Sequence, residues 1–366
     1  MTAIAIDEIF FQATPVLMGV CPHSFAWVMG QKGPDRSGET WTAALAGFES
    51  VQRVLSDGGL GLAKGVAELQ RRQKAAGRAV GSVSLDLFHL KRAAHRVLRQ
   101  AWQHAEAVWA AEAKADRRRP IHHGVRRSAL PVRPVRAKAQ AAYQSADRQE
   151  QAWARIATAL EVFRPDGCLN DRTWAEGEIA AARADLIHSG WKKVKRALDD
   201  PRTLSFLDDL KAELARAAPD AELRAAVVER WRLRHGRGER TAARVTQEVV
   251  QTAVCQQRSS EWAAAYARVS RALKRVVRAS SAVECVNSVV RMHQARQRNV
   301  SQGMLDLKRL WWNTRQFREG TRKRKSPYDL LGIPDLGQFW PLLNADLTEL
   351  AQRFAALIQL QHLSTS

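Results

Sequence analysis

Three segments rich in Ile, Val, Met and Phe crowd into the first thirty residues: AIAIDEIFF (3–11), VLMGV (16–20) and FAWVMG (25–30). Residues of this kind at this density read as strands, and Pro15 and the CPHS stretch (21–24) punctuate them. The links are far too short for the crossover helix that a parallel pair needs, so the chain is expected to open as an antiparallel meander. The next segments alternate in type. SGETWTAALAGF (37–48) has a Ser start and reads as a helix, VQRVLSD (51–57) as a strand and GGLGLAKGVAELQRRQKAA (58–76) as a helix after a Gly-rich turn. AVGSVSLD (79–86) reads as a strand feeding a helix over 87–115. The class is α/β.

Charge narrows the partners. Lys and Arg number 58 against 37 acids, a net +21. Lys114 to Lys138 holds nine cations against one acid, and Arg291 to Lys325 eleven against two, so +8 and +9 make +17 of the +21. One such run is most simply a solvated face. Two runs holding most of the excess read as a surface for a polyanion, nucleic acid before an anionic membrane. The DNA-binding candidates are Arg117, Arg118, Arg119, Arg126 and Arg127 in the first run, and Arg296, Arg298, Arg322, Lys323, Arg324 and Lys325 in the second. The four cysteines, at 21, 168, 255 and 285, form no CxxC and read as reduced thiols of a cytoplasmic protein. The apolar stretch 9–20 is broken by Gln12, Thr14 and Pro15 and is no membrane span.

The basic, Pro-bearing stretch 116–136 reads as a linker or extended loop, and 137–278 has helical composition throughout, with breaks near Pro165–Gly167, Gly190, Pro201, Pro219 and Gly236–Gly238. The expected division is an α/β core over 1–115, a helical insertion over 116–278, the rest of the core over 279–335 and a helical tail over 336–366 with an amphipathic helix at about 343–362.

Three acids are placed to act together. Asp7 lies inside the first strand, where alternation sets Ile4, Ile6 and Glu8 on one face and Ala5, Asp7 and Ile9 on the other; an acid in so apolar a strand is costly unless paired or metal-bound. Asp57 ends the strand VQRVLSD ahead of Gly58 and Gly59, a common place for a site in α/β folds. Glu284 starts a helix with an apolar stripe of Val283, Val286 and Val290, and Asn287 and Arg291 share its face at i+3 and i+7. Singly, each acid is as well explained by a turn, an edge or the helix dipole. Trp311 and Trp312 read as core before base-stacking surface.

With these residues in view, the chain resembles the DDE transposases of bacterial insertion sequences. AIAIDEIFF resembles their first strand with its acid, VLMGVCPHSFAWVMGQ (16–31) the next two strands, and VLSDGGLGLAKGV (54–66) the strand with the second acid. SLDLFHLKRA (84–93) resembles an Asp-x-x-His motif, here Asp86 and His89; AVECVNSVVRMHQARQRN (282–299) resembles the helix with the last acid, and RKRKSPYDLLGI (322–333) the end of the domain. The resemblance covers roughly 1–100 and 280–335. It implies an RNase H-like mixed sheet with flanking helices, interrupted by a large all-α insertion.

It further implies metal-dependent strand cleavage and transfer at the ends of a mobile element. Asp7, Asp57 and Glu284 would be both catalytic and metal-binding, holding two Mg²⁺ ions that Mn²⁺ replaces. Asp7 would bridge the ions, and Asp57 and Glu284 would each hold one; Asp86, His89, Asn287 and Arg291 would support them. Double-stranded DNA is the implied partner, a homodimer the common assembly, and the nucleoid the place of action. Relatives usually carry a DNA-end-recognition domain ahead of the core, and here Met1 lies six residues before Asp7, so the expectation is either a truncated or separately encoded core or recognition by the helical insertion. The alternatives from other classes are a DNA-binding remnant that no longer cuts, an RNase H-like nuclease acting on hybrids or junctions, and a helical scaffold.

Overall fold

The structure is a computed structural model and describes residues 2–117, 121–122, 125–126, 132–236, 238–278, 281–294 and 299–333. The helix expected at 343–362 lies outside the described residues. The chain divides into two compact units, Met1–Asp86 with Val277–Ser366, and Leu87–Val276.

The first unit is mixed α/β. Five strands, β1 (Ala3–Phe11), β2 (Thr14–Val20), β3 (Trp27–Lys32), β4 (Arg53–Ser56) and β5 (Ser82–Leu85), form one sheet in the order β3-β2-β1-β4-β5. The meander β1-β2-β3 is antiparallel, as the short links require, and β4 and β5 join β1 in parallel through helical crossovers. Helices α1 (Gly38–Ala44) and α2 (Leu60–Ala75) make those connections. They meet where Gly65 faces Trp41: a Cβ at Gly65 would lie 2.5 Å from that of Trp41, so only glycine allows this approach. Gln73 on α2 is buried and binds the backbone ahead of both parallel strands, donating to the carbonyls of Glu49 (3.1 Å) and Val51 (2.7 Å) and accepting from the Gly81 amide (2.8 Å).

Each sheet face has its own core, split by the strand alternation read from the sequence. Ile4, Ile6, Leu17, Met29 and Val54 pack with Trp41, Leu45, Leu62, Val66 and Leu69. On the other face Ala5, Ile9, Met18, Val20 and Leu55 pack with Val283, Val286 and Val290 of the helix Ser281–Gln294 and with Leu305 and Trp312 of the helix Gln302–Thr314.

The second unit is mainly helical. Its helices are α3 (Leu87–Arg117), α4 (Val132–Ala159), α5 (Arg172–Arg183), α6 (Lys192–Leu198), α7 (Ser205–Ala217), α8 (Ala221–His235), α9 (Ala242–Arg258) and α10 (Trp262–Lys274). Between α3 and α4 two short strands, β6 (Ile121–His122) and β7 (Val125–Arg126), pair antiparallel inside the stretch expected as a loop. Contacts of Lys91 with Glu161, Trp102 with Glu150 and Arg136 with Glu112 show α3 and α4 running antiparallel. That packing is why α3, assigned from sequence to the α/β core ending at 115, clusters with the helices instead. The remaining helices of the first unit are α11 (Ser281–Gln294), α12 (Gln302–Thr314) and α13 (Pro327–Leu331).

The edge strand β3 is closed by side chains of α12. Gln302 accepts from the Lys32 amide (3.0 Å) and donates to the Gly30 carbonyl (2.8 Å). Asn313 accepts from the Trp27 amide (2.8 Å) and donates to its carbonyl (2.9 Å). Eleven helical residues and five strand residues both span about 16–17 Å, so two amides on one helix match the two ends of the strand. Unpaired edge groups that would otherwise accept another chain are thereby occupied. Among the described residues no helix is long and apolar enough to cross a membrane.

Candidate metal centre

Asp7 occupies the middle of β1, opposite Met18 in the register and flanked by strands on both sides. It is only 6% exposed on the face that α11 covers. Its Oδ1 accepts from the Glu8 amide (2.9 Å) and its Oδ2 from the side-chain amide of Asn287 (2.8 Å). Two donors to the ionised form make this buried carboxylate tolerable where an unpaired one would not be.

The other strand-end acids stand at the same end of the sheet. The parallel registers stop at Ala5 with Leu55 and at Ser56 with Leu85; Asp7, Asp57 and Asp86 come within two residues of those pairs. Asp57 is exposed, and its Oδ1 accepts from the Gly59 amide (3.0 Å) across Gly58, whose φ of +81° makes the turn into α2. Asp86 is buried, and its amide donates to the Ser56 carbonyl (2.9 Å).

Glu284 sits in the first turn of α11, whose stripe of Ala282, Val283, Val286 and Val290 is buried against β1 and β2. Burial of that stripe sets Glu284 and Asn287 towards Asp7. The sequence leaves Arg291 open between DNA phosphate and a site carboxylate; in the structure it pairs with Glu284, Nη1 to Oε2 at 3.1 Å. Among the described residues the carboxylates of Asp7 and Glu284 can offer ligand oxygens within 4.8 Å of each other. His89 lies in the first turn of α3, its ring edge-on to Phe88 at 5.6 Å. The Asp7 and Glu284 pair joins two of the three expected acids, and Asp57 is not part of it.

The donor chemistry fits a divalent cation. Carboxylate oxygens are hard ligands suited to Mg²⁺ and Mn²⁺. Two carboxylates this close repel each other, and a cation between them removes that cost. Asn287 is fully buried, and its Oδ1, on the amide that donates to Asp7, has no hydrogen-bond partner among the described residues. A buried amide oxygen left open beside a carboxylate is one more hard donor for a cation or its water.

The basic candidates divide. Arg118, Arg119, Arg127, Arg296 and Arg298 lie outside the described residues, while Arg117 ends α3 and Arg126 lies in β7. Arg322, Lys323, Arg324 and Lys325 come after α12 in a compact turn and make no ion pair among the described residues. Of the two tryptophans, Trp312 is core at 3% exposed and Trp311 is surface at 38%. Comparison with protein-family models, curated proteins and solved structures finds no match to this chain.

Proposed function

We propose that the chain is a divalent-metal-dependent phosphoryl-transfer enzyme acting on DNA, a transposase of the DDE type. The observation that carries this reading is the meeting of Asp7 and Glu284, from near the two ends of the chain, with ligand oxygens within 4.8 Å in an otherwise apolar core. A metal held there would supply Lewis-acid stabilisation of the attacking and leaving oxygens at phosphorus.

The chain's own part is to hold the ligands. Asn287 orients Asp7, and Arg291 holds Glu284. Asp57, by its place at the sheet end, is the candidate for the third ligand. The free basic side chains support DNA as the substrate.

The test is calorimetric titration with Mn²⁺ and Mg²⁺, then cleavage assays on duplex DNA. Wild type is expected to bind metal and nick DNA only with metal. Asp7→Asn and Glu284→Gln are expected to do neither while binding DNA as wild type does. Metal-independent cutting, or full activity in either variant, would refute the reading.

A further inference from the structure

We propose that Arg315, Arg318 and Arg322 form a built site for the phosphodiester backbone of double-stranded DNA, with Arg315 and Arg322 carried on an aromatic bed of Trp311, Trp312 and Phe25. The site rests on the proposed function only in taking DNA as the partner.

The geometry is that of fixed cations. The guanidinium carbon of Arg315 lies 4.1 Å from the centre of the Trp312 ring and 5.1 Å from that of Trp311. That of Arg322 lies 4.5 Å from the Phe25 ring. A guanidinium resting on a ring face keeps its N–H edge available, and a planar fork so held matches two phosphate oxygens. Such an arginine has lost most of its side-chain freedom before any ligand arrives, which lowers the cost of binding.

The bed itself is rigid. Trp312 donates from its indole to the Phe25 carbonyl (2.7 Å), and Asn313 beside it holds both backbone groups of Trp27. Phe25 has a φ of +62° and closes a tight turn with Cys21 (2.8 Å). Its ring meets Phe317 edge-on at 6.1 Å. The loop beyond α12 folds back on itself: the Phe317 amide donates to Lys325 (3.0 Å) and the Arg324 amide to Phe317 (2.9 Å). The cations therefore stand on elements fixed to the β3 edge of the sheet that carries Asp7.

Charge supplies the ligand. From Arg315 to Lys325 there are six cations and one acid, Glu319. No ion pair involves any of the six among the described residues, although arginines elsewhere in the chain pair repeatedly. Burial, and then the neighbouring charge of Arg318, lower the proton affinity of the Arg315 guanidinium, and only the Cys285 thiol opposes this. Cations crowded in this way carry a repulsion that a polyanion relieves. Pinned, planar donors suit the regular spacing of a duplex; a fluid anionic surface requires no such fixing.

The experiment is a fluorescence-anisotropy titration of a labelled random duplex of about thirty base pairs, across salt and with chelator present so that metal plays no part. Neutralising two phosphate contacts should reduce the log–log salt slope by about 2. Arg315→Ala with Arg322→Ala is expected to show that change and to bind at least tenfold more weakly near 100 mM salt. Arg318→Ala, whose side chain is exposed, cannot be dismissed as misfolded and should lower the slope by about 1. The exposed pair Lys192→Ala with Lys193→Ala should change affinity less than twofold. An unchanged slope in the arginine variants, an equal loss in the lysine pair, or equal competition by vesicles of anionic lipid would each overturn the proposal. A protein that binds as stated yet never cuts with metal would remove the proposed function and leave this site standing; one that cuts with its slope unmoved would do the reverse.

Discussion

Asn287 donates its side-chain amide to Oδ2 of Asp7 across 2.8 Å, tying β1 to a residue 280 positions further along the chain. The bond lies on the one side of Asp7 that α11 can reach. Its loss in Asn287→Ala leaves a buried carboxylate one donor short and should cost about 1–3 kcal/mol by denaturant unfolding. The same change should weaken Mn²⁺ binding by about tenfold or more, because a ligand's hydrogen-bond partner orients it. Lost stability with unaltered metal affinity would make Asn287 a packing residue alone.

Asp57 is the proposed third ligand, and substitution tests it. Asp57→Asn keeps an oxygen for the Gly59 amide, so stability should change by less than about 0.5 kcal/mol. If Asp57 is a ligand, calorimetry should show metal binding abolished and DNA binding kept. Wild-type metal binding in Asp57→Asn would remove Asp57 from the site.

The hold of α12 on β3 can be tested without altering a charge. Asn313→Ala strips partners from the buried amide and carbonyl of Trp27 and should destabilise by about 2–5 kcal/mol. Because the Trp312 bed shifts with it, duplex affinity in anisotropy should also fall, although every arginine remains. Thermal melts and binding that both match wild type would show the contact to be dispensable.

Glu248 in the helical unit gives a pH signature. Burial pushes its carboxyl up, but Arg234 and Arg240, hydrogen-bonded at 2.9 and 2.8 Å, outweigh that and hold it below the usual carboxylate range. A folded value below the unfolded one means its stabilisation is full above about pH 4.3 and is lost as pH falls through the folded value. Both arginines are about half exposed, so the effect at neutral pH should be only about 1 kcal/mol. Denaturant unfolding of Glu248→Gln beside wild type should show that gap at pH 7 and its closure on acidification. A gap independent of pH would exclude the ion pairs as its source.

Legibility in the sequence tracked how local each signal was. The face of Asp7 was readable because strand alternation is a two-residue rule, and Ile4 and Ile6 against Ala5 and Ile9 obey it. Glu284 was readable because Val283, Val286 and Val290 set the buried side of its helix. The nearness of Asp7 to Glu284 is a tertiary fact that no local pattern encodes. The roles of Gln302 and Asn313 were not readable, since their partners are backbone groups about 270 and 286 residues away. Arg315 was missed as a site residue because a lone arginine after two tryptophans says nothing of which ring it rests on.

The first unit is interrupted in the chain by all of Leu87–Val276. A ribosome adding about 5–20 residues each second therefore releases the five strands some ten to forty seconds before α11 emerges. During that interval the apolar sheet face around Asp7 lacks α11 and Asp7 has no Asn287. The nascent protein thus offers chaperones a bare sheet surface, and the full set of candidate ligands comes together only near the end of synthesis.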